Sequence, residues 1–216
     1  MIGIFGTGIV GSRVAESLSL ETQSTICVYD SSRVVAQRLA RRISKANIAI
    51  SAVSREQLIS SKVVVLAGPS PHFSLAKELL ERNVSIVSTS DDNADCLNLL
   101  SLADLAKKNN QTLIVGAASS PGMSGLLVRN LSKLFDEIDE VHTALHGTGG
   151  PACARQHHRA LSGQSVGWHD GEWLRRPAGS GRELCWFPEP VGAYDCYRGE
   201  LPDPLLIKRA FPELSR

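Results

Sequence analysis

Apolar positions along the first 135 residues follow two alternating rhythms. Short apolar runs at residues 2–5, 25–29, 47–52, 62–67, 84–88 and 112–115 have strand length. Between them, apolar residues recur every three or four positions, the period of a helix with one buried face. Val10, Val14 and Leu18 mark a helix at 10–20, and Val35, Leu39 and Ile43 mark another at 33–44. Residues 54–60 read as a short helix, with Ser54 and Gln57 placed as a capping box. Leu75, Ala76, Leu79 and Leu80 define the next helix, and Leu99, Leu102 and Ala106 one more. Val63, Val64 and Val65 form an unbroken apolar run, as in a parallel strand covered on both faces.

This βα alternation predicts an α/β fold, a doubly wound parallel Rossmann sheet over residues 1–136. Right-handed crossovers put every strand's C-terminal end on one edge, so Gly6, Gly68 and Ser88 are expected as neighbours. After the sixth strand come Ser119, Ser120, Pro121 and Gly122, then Leu127, Leu131 and Leu134 at helical spacing. The serine–proline pair is expected as N-cap and first residue of that helix.

From about residue 137 the rhythm breaks. Residues 141–145 read as a strand, and Pro151 opens a helix reaching Leu161 after a turn with Gly147, Gly149 and Gly150. Asp170-Gly171 sits between Trp168 and Leu174 as a hairpin turn. Residues 205–211 read as a short helix. The expectation is a smaller, incomplete α+β substrate domain over residues 137–216. Leu201, Leu205, Leu206, Ile207 and Phe211 have little later sequence to pack on. An exposed apolar face is therefore expected, buried by self-association as a homodimer or left loosely held.

Composition narrows the function classes. The 216 residues are 43% hydrophobic with a net charge of +1. No basic stripe suits nucleic acid, because Arg38, Arg41, Arg42 and Lys45 read as the solvated face of the second helix. No apolar run approaches membrane-spanning length, and no leader pattern precedes the first strand, so a cytoplasmic protein is expected. Five cysteines without a C-x-x-C argue against a disulfide framework or zinc ribbon.

The candidate chemistry begins at Gly6, Gly8 and Gly11, spaced G-x-G-x-x-G between the first strand and the first helix. In a dinucleotide site these glycines permit the turn, the approach of pyrophosphate and the close packing of helix on strand. Thr7, Ile9 and Val10 complete that turn, and a tight βα turn without a ligand is the alternative. Asp30 follows about twenty residues later, placed to accept both ribose hydroxyls, and it also suits the N-cap region of the second helix. Its charge favours NAD; Arg33, with Ser31 and Ser32, offers a 2′-phosphate of NADP the opposite welcome. Ala67, Gly68, Pro69 and Ser88, at the ends of the fourth and fifth strands, are further cofactor candidates.

Several stretches resemble the saccharopine dehydrogenase-like family of NAD(P)-dependent oxidoreductases: G-T-G-I-V-G, V-V-V-L-A-G-P, I-V-S-T-S-D-D and S-S-P-G-M-S-G-L-L. The resemblance spans most of residues 1–135. It implies a cofactor-binding Rossmann domain, a substrate domain on a mixed sheet, and hydride transfer at a carbon bonded to nitrogen or oxygen in small amino-acid-like substrates. Family members often carry an acidic residue near the position of Ser88, and they are considerably longer. An incomplete substrate pocket and weak turnover are the corresponding expectations.

Ser120, Pro121 and Gly122 are expected at the nicotinamide end as substrate contacts, with a capped helix as the alternative. Gly149, Gly150 and Arg155 are the other substrate candidates. His157 and His158 are the proton-transfer candidates, against a plain polar helix surface. No metal site is expected, since His142, His146 and Cys153 lack ligand spacing. Two classes remain: an oxidoreductase, and a dinucleotide-binding module or sensor without catalysis.

Overall fold

Ile2–Phe5 forms β1 near the middle of a six-stranded parallel sheet in the order β3-β2-β1-β4-β5-β6. The computed structural model describes residues 1–44, 50–147 and 150–216. The chain divides into two compact units, Met1–Ser90 with Ala94–Ala117, and Asp91–Asn93 with Ala118–Arg216.

In the first unit, α1 (Ile9–Glu21), β2 (Ile26–Tyr29), α2 (Arg33–Ile43) and β3 (Ile50–Ala52) follow β1. Then come α3 (Arg55–Leu58), β4 (Val63–Leu66), α4 (Phe73–Glu81), β5 (Ser85–Ser88), α5 (Asn93–Leu100), α6 (Ala103–Lys108) and β6 (Leu113–Val115). This is the doubly wound order, reversing between β1 and β4. Alternate side chains feed two apolar layers. Ile4, Ile26 and Val28 pack with Ala36, Leu39 and Ile43 of α2 on one face. Val64, Leu66 and Ile86 pack with Leu79, Leu80 and Leu99 on the other.

Of the expected third strand at 47–52, residues 47–49 lie outside the described residues. Two details depart from the apolar pattern. The buried side of α1 is Gly11 and Ala15, flanked by half-buried Val14 and Leu18, while Val10 is 38% exposed. Small residues bring α1 close to the sheet and rotate the larger aliphatics aside. The helix expected through Leu99, Leu102 and Ala106 is two helices, α5 and α6, with Leu102 as the N-cap of the second. The capping box at Ser54 and Gln57 is present in both directions.

The second unit holds α7 (Met123–Leu131) with a 3-10 turn at Ser132–Leu134, then α8 (Pro151–Ala160). Two antiparallel hairpins come next, β7 (Gln164–His169) with β8 (Glu172–Pro177), and β9 (Glu183–Phe187) with β10 (Gly192–Cys196). Helix α9 (Asp203–Ala210) ends the ordered elements. Asp170 and Gly171 have φ of 48° and 89°, the paired positive values of a type I′ turn. Among the described residues the hairpins are separate sheets, not one mixed sheet.

Residues 141–145 are not a strand; Val141 donates one backbone bond to the Arg216 carbonyl and packs beside Ile207. The expected exposure of the C-terminal aliphatics is also corrected. Ile207, Phe211 and Leu214 are buried together against Val128, Ile138 and Val141, because the last residues fold back. Trp168 fastens that turn: its indole N–H donates to the Leu214 carbonyl at 2.9 Å, and the Lys208 ammonium sits 4.3 Å from its ring centre. Exposed apolar side chains of this unit include Met123, Leu126, Leu127 and Leu131 on α7, Leu134 and Phe135 after it, Trp173 on the first hairpin, and Leu184, Trp186 and Tyr194 on the second.

Candidate functional site

The three glycines of the turn after β1 do different jobs. Gly6 has φ +92°, and a Cβ there would stand 2.6 Å from the Gly68 nitrogen. A Cβ on Gly11 would lie 1.8 Å from the Gly6 carbonyl oxygen. Both are demanded by the protein's own packing. Gly8 is not: its φ is −68°, and a Cβ there would meet nothing within 4 Å. Gly8 is also the N-cap of α1 and supplies no side-chain cap to the free N–H groups of the first turn. Ile9 and Val10 stand exposed beside it, at 58% and 38%. The turn is therefore open on the one side where an anion would meet a helix N-terminus.

Asp30, at the end of β2, closes the other flank. One carboxylate oxygen accepts from the Thr7 N–H at 2.8 Å and the Thr7 hydroxyl at 2.9 Å. The other accepts from the Ser32 N–H at 2.9 Å and, more weakly, from the Ser31 hydroxyl at 3.4 Å. Partial burial pushes the Asp30 carboxyl up, but the Thr7 and Ser32 N–H groups and the two hydroxyls outweigh it and hold it below its ordinary value. Thr7 is buried, whereas Ser31 and Arg33 are exposed.

The sheet brings the ends of β4 and β5 to the same edge. Leu66 pairs with Phe5 and with Ser88, and the Ala67 N–H donates to the Phe5 carbonyl. Ala67 and Gly68 are half-buried and Pro69 is exposed. Ser88 is fully buried and its hydroxyl faces inward, 2.8 Å from Nδ1 of His72, so that side chain serves the protein rather than the open edge. The other ring nitrogen of His72 lies 2.9 Å from the Gly68 carbonyl. Asp95, on α5, accepts from the His72 and Phe73 N–H groups at 2.8 and 3.0 Å and so caps α4. Sequence reasoning missed both residues; their signal is a polar residue interrupting an apolar helix pattern (Asp95) and a histidine directly before a helix (His72).

In the second unit, Ser120 is not an N-cap. Helix α7 starts at Met123, with Gly122 at φ 139° as its N-cap. The Ser120 hydroxyl donates to Asp203 at 2.5 Å, and the Ser124 hydroxyl donates to the other oxygen of the same carboxylate. Asp203 is 1% exposed in the first turn of α9. Pro121 is buried beside this pair. Gly150 is the N-cap of α8 and Pro151 its first residue, while Gly149 lies outside the described residues. On α8, Arg155 and His158 are exposed and His157 is half-buried. His142 contacts Glu140 at 3.0 Å, and the His146 ring packs against Tyr194 at 4.6 Å. No metal-ligating cluster occurs among the described residues. A cavity of about 240 Å³ in this unit is lined by Trp168, Arg176, Arg198 and Lys208, with Glu183 on its wall. No described helix is long and apolar enough to cross a membrane.

Residues 1–92 match the model of a family described as NADP oxidoreductase, coenzyme F420-dependent. Among solved structures, the saccharopine dehydrogenase (L-Glu forming) of Saccharomyces cerevisiae is similar over 99% of this chain and 53% of its own, at 16% identity and a TM-score of 0.63. The UDP-N-acetylglucosamine 3-dehydrogenase of Acidithiobacillus ferrooxidans is similar over 61% of this chain and 42% of its own, at 19% identity and a TM-score of 0.48. No curated protein matches the sequence. The chain thus spans about half the length, or less, of these solved relatives. The first unit has the Rossmann fold of NAD(P)-dependent oxidoreductases, and the fold of the saccharopine dehydrogenase runs through the whole chain, in line with the resemblance read from its motifs.

Proposed function

We propose that the first unit binds a nicotinamide dinucleotide and that the protein is an NAD(P)-dependent oxidoreductase acting on a C–N or C–O carbon of a small amino-acid-like substrate. The observation that carries this is Gly8: the fold needs no glycine there, yet the position is bare and faces a helix N-terminus. The pyrophosphate would sit on the N–H groups of Ile9 and Val10, with the aliphatic side chains of those residues against the cofactor. Ligands of open α/β sheets lie across the point where strand order reverses, here between β1 and β4. The adenosine ribose then falls beside Asp30, and the nicotinamide half beside Gly68 and Pro69.

Asp30 supports NAD over NADP. Its two N–H bonds are fixed by backbone, but the Thr7 and Ser31 hydroxyls can rotate away. Two ribose hydroxyls can donate to the carboxylate in their place, whereas a 2′-phosphate would meet its negative charge. Exposed Arg33 is the counterweight, and the two dissociation constants decide between them.

The bound nicotinamide supplies or takes up the hydride. The chain must add a proton donor or acceptor and hold the substrate. His157 and His158 are the candidates for the proton, and Arg155 for a substrate carboxylate. The cavity beside Trp168 favours an acidic ligand, since Arg176 and Arg198 have no carboxylate within 4.0 Å among the described residues. Titration of intrinsic fluorescence with NADH and NADPH, followed by a turnover screen over amino acids and keto acids, tests the reading. Binding with turnover supports it; binding without turnover favours the sensor; failure to bind either dinucleotide refutes the site.

A further inference from the structure

We infer that His72 is a positioning residue for the nicotinamide half of the dinucleotide: its imidazole draws the Gly68 carbonyl inward and thereby shapes the edge between β1 and β4. The inference rests on the proposed dinucleotide site.

His72 is 2% exposed, and each of its ring nitrogens has a hydrogen-bond partner. Its backbone is clamped by Asp95, which takes the N–H groups of His72 and Phe73. Gly68 offers a carbonyl, which can only accept, so Nε2 carries the ring hydrogen. With Nε2 carrying the ring hydrogen, Nδ1 accepts, so the Ser88 hydroxyl donates to it while its oxygen accepts from the Ser90 N–H at 3.2 Å. The hydrogen bonds therefore run in one direction, from Ser90 to Ser88 to His72 to Gly68. A second tie joins the same two loops, where the Ser70 and Ser90 hydroxyls lie 2.7 Å apart.

The end of this relay matters because a proline comes next in the chain. Pro69 has no N–H, so the Gly68 carbonyl is the sole hydrogen-bonding group of the peptide bond between them. Turned outward, that oxygen would present a partial negative charge toward a pyrophosphate. Held by His72, it is engaged inside the protein. Gly68 also abuts Gly6 so closely that a Cβ on Gly6 would stand 2.7 Å from the Gly68 Cα. Asp30 and the adenosine side lie on the far side of β1 and are untouched by the relay.

The test compares His72→Asn and His72→Gln in the full chain, with AMP and NADH as ligands and a thermal melt as a check of folding. Asparagine is too short to reach Gly68, while glutamine carries its amide to about the position of Nε2. With one hydrogen bond at stake, His72→Asn is expected to weaken NADH about tenfold and AMP less than about twofold, and His72→Gln to stay within about threefold of wild type for both. A folded His72→Asn that binds NADH as wild type does, an equal loss of AMP and NADH, or glutamine no better than asparagine overturns the inference. A wild-type chain that binds neither ligand overturns the dinucleotide reading first, and the role of His72 with it.

Discussion

Thr7 gives its backbone N–H and its hydroxyl to the same oxygen of Asp30, at 2.8 and 2.9 Å. The acid that would read the ribose is therefore also the clamp that fixes the glycine turn to the end of β2. If the proposed site binds a dinucleotide, binding and folding meet at this carboxylate.

Asp30→Asn puts an amide where two N–H groups donate. The expected loss is about 1–3 kcal/mol at neutral pH, the cost of a charged acceptor with fixed donors. Because folding lowers the Asp30 pKa, its contribution is fully present above the ordinary value of 3.8 and disappears as pH falls through the lower folded value. Urea titrations of wild type and Asp30→Asn should stay separated by a constant amount from pH 7 to pH 5. They should converge well below 3.8. Separation that persists in full acid would mean the carboxylate's charge is not what the turn uses.

The glycines separate binding from stability. Gly8→Val should change stability by no more than about 0.5 kcal/mol, as at a surface site. It should weaken NADH more than tenfold, because its methyls occupy the space left for phosphate. Gly11→Ala should do the reverse in kind: a Cβ 1.8 Å from the Gly6 oxygen forces the helix outward, at about 1–3 kcal/mol or more. Thermal melts and NADH titrations on the same samples tell the two apart.

Ser120→Ala together with Ser124→Ala should act on stability. Asp203 is 1% exposed and receives both hydroxyls, so the double variant leaves a buried carboxylate stripped of two donors. The expected loss is about 2–4 kcal/mol, with the single variants summing to less, since either serine can still serve the carboxylate alone. Dinucleotide affinity per folded molecule should not move. Normal stability with lost turnover would return Ser120 to the substrate.

Phe211→Ala should cost about 3 kcal/mol. Phe211 is 6% exposed in the cluster with Ile207 and Leu214, so its removal opens a cavity where the tail folds back. A change below about 0.5 kcal/mol would show that the tail is not packed.

What could be read from the sequence was local. The strands and helices of the first unit announce themselves through period, and Ser54 with Gln57, or Asp170 with Gly171, carry their geometry within a few residues. What could not be read joins distant positions. His72 meets Ser88 across 16 residues, and Ser120 meets Asp203 across 83. Nothing beside Ser120 distinguishes a helix cap from a donor to a remote carboxylate. The apolar tail misled for the same reason: Ile207 and Phe211 find Val128 and Val141 far back in the chain. Residues 141–145 alternate like a strand, but Val141 holds one backbone bond to Arg216 and no ladder forms. At the glycine turn after β1, spacing located all three glycines, while their division of labour needed three dimensions.

Trp168 makes the last residues of the chain visible to light. Its indole N–H is held by Leu214, its face is under Lys208, and Trp173 meets it edge-on at 5.2 Å. An indole so placed, half-buried, emits further toward the blue and is less open to a neutral quencher than Trp186, which is 79% exposed. Acrylamide should therefore quench the emission in two populations, half-buried Trp168 against exposed Trp173 and Trp186. Undocking of the tail would register as a red shift and a merging of the two, without any label attached to the protein.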